Sequence, residues 1–296
     1  MNTIRQDLNA KGTLISDGAW GTFLIASGLT PSDCPELWNI DRPGIVRGIA
    51  QDYIDAGAQL ITTNSFGGTR FKLESYGLAD RATEINTAAA ALSREAAGAE
   101  NHVIASMGPT GKILMMGEVS ESELEDAFRE QAEALENGGA DALCIETMSA
   151  IDEAAAAVRA AKAHTNCEII ASFTFDREVN GVYHTMMGVN PEQMANAMLE
   201  AGADILGANC SLGPAEMVSV VTSLRAAAPD TPILVHPNAG QPLQQDGGVV
   251  YPETPEEFAA RVPALLEAGA NILGGCCGTT PAHIQAVRDA VAGASA

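Results

Sequence analysis

The chain is 296 residues long, 46% hydrophobic and 18% charged, which excludes a disordered tail and suffices for one large domain or two ordinary ones. Its 38 acidic residues against 16 basic ones leave a formal net charge of −22. Such a surface repels phosphate backbones and anionic headgroups, so neither nucleic acid nor membrane is an expected partner. The polar start MNTIRQDLNAKG lacks the apolar core of a signal peptide, and no run is long enough to span a bilayer. Six cysteines are too few for a disulfide scaffold in a chain of this length, and two of them are adjacent. A reducing, cytoplasmic setting is expected, with the thiols free for metal or catalytic use.

Taken in chain order, eight passages each hold a short apolar strand: GTLISD (12–17), AGAQLITTNS (56–65), HVIASM (102–107), GGADALCIET (138–147), EIIASF (168–173), AGADILGANC (201–210), PILVH (232–236) and AGANILGGCC (268–277). Ala-rich helical stretches separate them. In the second, fourth, sixth and eighth, a helix ends on a glycine that supplies the left-handed cap, a polar residue turns the chain, and the strand follows. Ser120 with Glu123, and Thr254–Pro255 with Glu257, are capping boxes, and Asn190–Pro191 and Thr280–Pro281 start helices in the same way. The strands do not alternate cleanly between apolar and polar residues, as parallel strands covered on both faces would not. Eight strand–helix units in this length predict one α/β domain over 1–296, a closed (β/α)8 TIM barrel with its active site at the C-terminal ends of the strands. A doubly wound open sheet is the alternative, but no G-x-G-x-x-G follows any strand.

The strand ends of such a barrel carry Asp17, Asn64, Gly108, Glu146, Cys210, Asn238, Cys276 and Cys277. Three cysteines from two strand ends therefore meet at one mouth, while Cys34, Cys144 and Cys167 do not share that placement. Glycines flanking Cys276–Cys277 permit a backbone tight enough to aim both sulfurs at one point. Three thiolates without an evident fourth ligand describe an open zinc site; two buried core thiols are the plainer alternative. A site of this charge is a poor Lewis acid toward carbonyls, yet it strips the proton from an incoming thiol and so suits thiol alkylation.

DGAWGT (17–22), PELWN (35–39), TNSFGGTRFKL (63–73), GPTG (108–111), ET (146–147), GANC (207–210), PNAG (237–240) and GGCCGTTPAHI (274–284) resemble, in order, the motifs of the zinc-dependent homocysteine S-methyltransferases. The resemblance covers nearly the whole chain, and the family fold is a (β/α)8 barrel. It implies Zn2+ held by Cys210, Cys276 and Cys277, and Asn238 approaching the metal when no substrate thiol is bound. It also implies Asp17 and Glu146 holding the amino group of homocysteine, with backbone amides after the first strand, at Gly18, taking its carboxylate. PNAG, ET and GGCCGTTPAHI together are most similar to the homocysteine-binding module of the cobalamin-dependent methionine synthase branch. No folate- or cobalamin-binding domain is read in the chain, and no D-x-H-x-x-G corrinoid motif occurs. Methylcobalamin would then be carried by a corrinoid protein on another chain. Two alternatives stand beside this split arrangement: a self-sufficient enzyme using an onium donor such as betaine, and an accessory zinc- and homocysteine-binding subunit active only when docked. Trp20 and Trp38 fall in the segments near the mouth, where aromatic faces could bind an onium group, with packing as their plainer role. His236 ends a strand and is expected to line the site.

Overall fold

A computed structural model describes residues 2–245 and 248–294. Eight parallel strands form its centre: β1 (Leu14–Ile15), β2 (Leu60–Ile61), β3 (His102–Met107), β4 (Ala142–Met148), β5 (Glu168–Phe173), β6 (Ile205–Asn209), β7 (Ile233–His236) and β8 (Ile272–Leu273). Hydrogen bonding runs β1-β8-β7-β6-β5-β4-β3-β2. The ring closes between β1 and β2, where Ser16 bridges Leu60 and two backbone bonds, Asp17 N–H to Leu60 O at 3.0 Å and Gln59 N–H to Ile15 O at 2.7 Å, hold the seam. All eight expected strands are present, in an α/β barrel. Three of them, β1, β2 and β8, are only two residues long, because the chain beyond them leaves the ladder to line the mouth.

Alternate residues along each strand face two different cores. Leu14, Leu60, Ile104, Ala142, Cys144, Ile170, Ile205, Leu234 and Ile272 pack together inside the barrel, plugged at one end by Ile4 and Leu8 of the N-terminal helix Ile4–Lys11. Their neighbours Ile15, Ile61, Ala105, Leu143, Ile145, Ile169, Leu206, Ile233, Val235 and Leu273 pack outward with the helix layer. Both rows are apolar, which is why the sequence shows no clean alternation. One step further toward the C-terminal end, the inward row becomes Ser16, Thr62, Ser106, Glu146, Ser172 and His236, so the barrel is oily at its base and polar at its mouth.

The repeated Gly-Ala-polar turn has three tasks in each of its four copies. Gly57, Gly139, Gly202 and Gly269 hold φ at 103°, 104°, 106° and 108°, the left-handed conformation that ends the helix. In the second copy it is Gly139, not Gly138, that makes the turn. The following Ala58, Ala140, Ala203 and Ala270 return their N–H groups to the preceding helix. Next, the side chains of Gln59, Asp141, Asp204 and Asn271 accept the N–H of Ile15, Val103, Ile169 and Ile233 on the preceding strand. Each even-numbered strand is thereby tied to its odd-numbered predecessor.

Ser120, Asn190 and Thr254 cap their helices through capping boxes, completed by Glu123, Gln193 and Glu257. Thr280 differs: its N–H donates to Nδ1 of His283 at 3.2 Å. Two short antiparallel strand pairs, Arg177–Val179 with Val182–His184 and Leu243–Gln245 with Gly248–Val250, follow β5 and β7. Among the described residues no helix is long and apolar enough to cross a membrane.

A Cβ on Gly269 would lie 2.6 Å from Nε of Arg225, whose guanidinium binds Gly269 O and the Asn271 side chain. Gly269→Ala is therefore expected to cost about 2–3 kcal/mol, combining left-handed strain with displacement of Arg225. Gly181→Ala, at φ 82° in open space, should cost only about 1 kcal/mol. Denaturant midpoints of the two variants check the difference.

Candidate metal and substrate site

Cys210 leaves β6 with φ 64°, followed by Ser211 at 58°. Its N–H donates to His236 O at 3.0 Å and its carbonyl accepts from Leu212 N–H at 2.7 Å, a turn that lifts the thiol over the barrel. Cys276 and Cys277 follow β8 in a backbone fastened on both sides. Gly275 N–H donates to Asp17 O at 2.9 Å, Cys276 N–H to Pro237 O at 2.7 Å, and Cys277 O accepts from Ala239 N–H at 2.9 Å. The glycines are required: a Cβ on Gly274 would sit 2.6 Å from Asp17 O and 2.8 Å from His236 Cδ2. On Gly278 it would collide with the ring of Tyr251.

The sulfurs of Cys210 and Cys276 lie 3.9 and 4.0 Å from that of Cys277, and all three are within 4.8 Å of one another. Tetrahedral zinc with bonds of about 2.3 Å separates its thiolates by about 3.8 Å, so the trio fits that ion. Among the described residues it is the one group of His, Cys or carboxylate side chains so arranged. Hydrogen bonds from the other two thiols, and from the hydroxyl of Tyr251, make Cys277 the thiol most easily ionised. Cys276 is held well above the usual thiol range by Cys210 and Cys277 and by burial. Asn238 spans the two cysteine loops, its N–H donating to Leu212 O at 2.9 Å. Its Oδ1 is buried without a partner among the described residues, an arrangement that suits a nearby cation.

The thiols open on a cavity of about 310 Å3 that also takes in Asp17, Gly18, Trp20, Thr62, Phe66, Glu146 and His236. Asp17 Oδ2 accepts from Trp20 Nε1 at 2.9 Å and from the N–H and Oγ1 of Thr62, both at 2.7 Å. Glu146 accepts from Ser106 Oγ. Burial pushes Asp17 up to about 6 and Glu146 up to about 7, the latter raised further by the charges of Asp17 and Cys277. No Lys or Arg is among the described residues lining the cavity. Two desolvated carboxylates with no resident counter-ion make a receptor for a cationic group. Gly18 and Ala19 are pinned beside them: Ala19 N–H donates to Thr279 Oγ1 at 3.1 Å, and a Cβ on Gly18 would lie 2.6 Å from that oxygen.

The structure thus brings Asp17, Gly18, Glu146, Cys210, Cys276, Cys277 and His236 to one cavity, with Asn238 between the cysteine loops. Asn64 lines it too, while Gly108 packs beneath the ring of Phe66. His236 is buried, its Nε2 has no partner among the described residues, and desolvation lowers it to about 4, so it is neutral. The two tryptophans separate: Trp20 lines the cavity, whereas Trp38 is buried with the Arg42 guanidinium 4.6 Å from its ring centre. Cys144 lies inside the barrel, and Cys34 and Cys167 are buried elsewhere. Thr62, Ser106 and Tyr251 were not foreseen. The first two were accessible from period-two counting beyond Leu60 and Ile104; Tyr251 carries no local signal.

Residues 14–291 match the family model described as homocysteine S-methyltransferase. Methionine synthase of Mycobacterium tuberculosis is 34% identical over 97% of this chain, and the chain spans about a quarter of that relative, 25% of its length. The metallated form of the homocysteine methyltransferase MmuM from Escherichia coli superposes with a TM-score of 0.79 at 27% identity, over 97% of this chain and 99% of that one. The carboxyl transferase domain of Rhizobium etli pyruvate carboxylase, at 16% identity and a TM-score of 0.55 over 96% of this chain and 47% of that one, shares the fold alone. The chain belongs to the homocysteine S-methyltransferase family.

Because burial raises Glu146 from 4.5 to about 7, the folded state keeps a proton that the unfolded chain has released within that window. Its contribution to stability therefore falls as pH rises from about 4.5 to 7. Glu146→Gln in the ligand-free protein should melt above the parent at pH 8 and level with it near pH 4.5. Thermal melts across that range check the sign.

Proposed function

We propose that the chain is a zinc-dependent homocysteine S-methyltransferase that makes methionine, with all of 1–296 serving as its homocysteine-binding barrel. The observation that carries this is the shared cavity: three thiols at tetrahedral spacing face the same space as two buried carboxylates without a counter-ion. Cys210, Cys276 and Cys277 hold the ion. Zinc bound there stabilises the thiolate of homocysteine at neutral pH, where a free thiol with a pKa of about 8.5 is mostly protonated. Asp17 and Glu146 take the substrate ammonium, and backbone amides around Gly18 take its carboxylate. Thr62, Trp20 and Ser106 aim the two acids by occupying their other lone pairs. An arriving ammonium favours the ionised carboxylates, so protons held in the free site leave as substrate enters. Asn238, whose buried side-chain oxygen has no partner among the described residues, would stand ready to face the ion in the absence of substrate.

The sulfur attacks the methyl carbon; the S–CH3 bond forms as the donor–CH3 bond breaks, and the donor departs with the electron pair. No general acid is needed for a leaving group of that kind. We assign the donor role to a methylcorrinoid protein that docks over the mouth. The 34% identity to a methionine synthase supports this, as does the apolar rim around the mouth. Ile25, Phe66, Met115, Met116, Met186 and Met187 are exposed on the connections after β1, β2, β3 and β5, a surface suited to a protein partner. An aromatic cage for an onium donor has less support, since the face of Trp38 is taken by Arg42.

Purified, reduced, zinc-loaded protein given homocysteine should form methionine with a methylated corrinoid protein and not with betaine or S-methylmethionine. Turnover with an onium compound alone would replace the split arrangement by a self-sufficient enzyme. Bound zinc and homocysteine with silence toward every free donor would leave an accessory subunit. Cys277→Ala should lose both the metal, by elemental analysis, and all turnover; full activity without metal would overturn the mechanism.

A further inference from the structure

β4 and β5 pair Ile145 with Ala171 and Met148 with Phe173, so three steps on β4 oppose two on β5. The extra residue is a β-bulge at Glu146–Thr147. It brings two consecutive side chains, Glu146 and Thr147, to the cavity and returns Met148 to the outer core. Thr147 takes φ 60°, a left-handed conformation that a β-branched residue adopts only under constraint.

The constraint is Asn209, the last residue of β6, which is fully buried and reaches across β5. Its Oδ1 accepts Thr147 N–H at 2.9 Å, while its Nδ2 donates to Thr147 Oγ1 at 2.7 Å. Ser172 Oγ on β5 also donates to Oδ1, at 2.6 Å. The next residue along the chain from Asn209 is Cys210. Of the four non-glycine residues with positive φ among those described, Thr147 is hydrogen-bonded to this amide, and Cys210 and Ser211 directly follow Asn209 in the chain.

We propose that Asn209 is a positioning residue that locks the Thr147 bulge, aims Glu146 into the cavity, and ties the ammonium-binding acid to the Cys210 arm of the metal site. It thereby sets the spacing between the two ends of the substrate. This rests on the reading of Glu146 and Cys210 given above.

The test uses zinc-loaded full-length protein and reads zinc content, homocysteine affinity by calorimetry, and KM against kcat. Asn209→Ala should retain zinc and weaken homocysteine about tenfold, with KM rising more than kcat falls, as expected for losing about one buried hydrogen-bonded clamp. Glycine accepts φ 60° without strain, so Asn209→Ala combined with Thr147→Gly should recover a large part of that affinity. Thr147→Val keeps the side-chain shape but removes the Oγ1 acceptor, and it should weaken binding in the same direction should the alanine variant fail to fold. Parent-like homocysteine affinity in Asn209→Ala, or in Thr147→Val if that is the variant measured, would overturn the proposal. So would failure of the double variant to recover. If the parent itself binds zinc but no homocysteine, the functional reading fails instead.

Discussion

The site depends on one backbone hydrogen bond, from Gly275 N–H to the carbonyl of Asp17 at 2.9 Å. It joins the last strand to the first at the mouth, and so brings the cysteine loop against the acid that begins the carboxylate pair. The approach is possible only because Gly274 has no Cβ: a methyl there would meet Asp17 O and His236 together. The neighbouring bonds from Cys276 N–H to Pro237 O and from Ala239 N–H to Cys277 O extend the closure to β7. Three thiols can stay within 4.8 Å of one another because these bonds leave the two loops little freedom to part.

Charge is arranged in two opposed layers. Outside, the excess of acid is solvated and screened. Inside, Asp17 and Glu146 are desolvated and held above the ordinary carboxylate range, with no Lys or Arg lining the cavity among the described residues. The two acids have no cationic partner, and the buried oxygen of Asn238 no hydrogen-bond partner, among the described residues. A cationic group entering the cavity would relieve both carboxylates at once, a physical preference that precedes any question of shape.

Much of this was legible in the sequence because it is written in local rules. The Gly-Ala-polar turns appear at Gly57, Gly139, Gly202 and Gly269 because only glycine sits easily at φ near 105°. The capping boxes at Ser120 and Thr254 follow from side chains reaching three residues along a helix. The rim placement of Asp17, Glu146, Cys210 and Cys276–Cys277 followed from counting strand ends. The binding roles proposed for them rest on family motifs, since an isolated Asp17 or Glu146 reads equally well as a turn residue or a surface acid. Less accessible was the shortness of β1, β2 and β8, because the apolar runs there continue past the point at which the ladder ends.

By itself, then, the sequence determined eight strand–helix units, their two apolar rows, the turns that join them, and which residues stand at the strand ends. Tertiary structure alone decided that Thr62 and Ser106 aim the two acids, that Tyr251 reaches Cys277, and that Trp38 turns its face to Arg42 rather than the mouth. It also decided that Asn209 reaches across a strand to hold Thr147. The reason is one of range. Periodicity, caps and glycine turns act within a few residues along the chain, whereas, the Trp38–Arg42 contact apart, these contacts join residues from 26 to 62 positions apart, which come together once the barrel has closed.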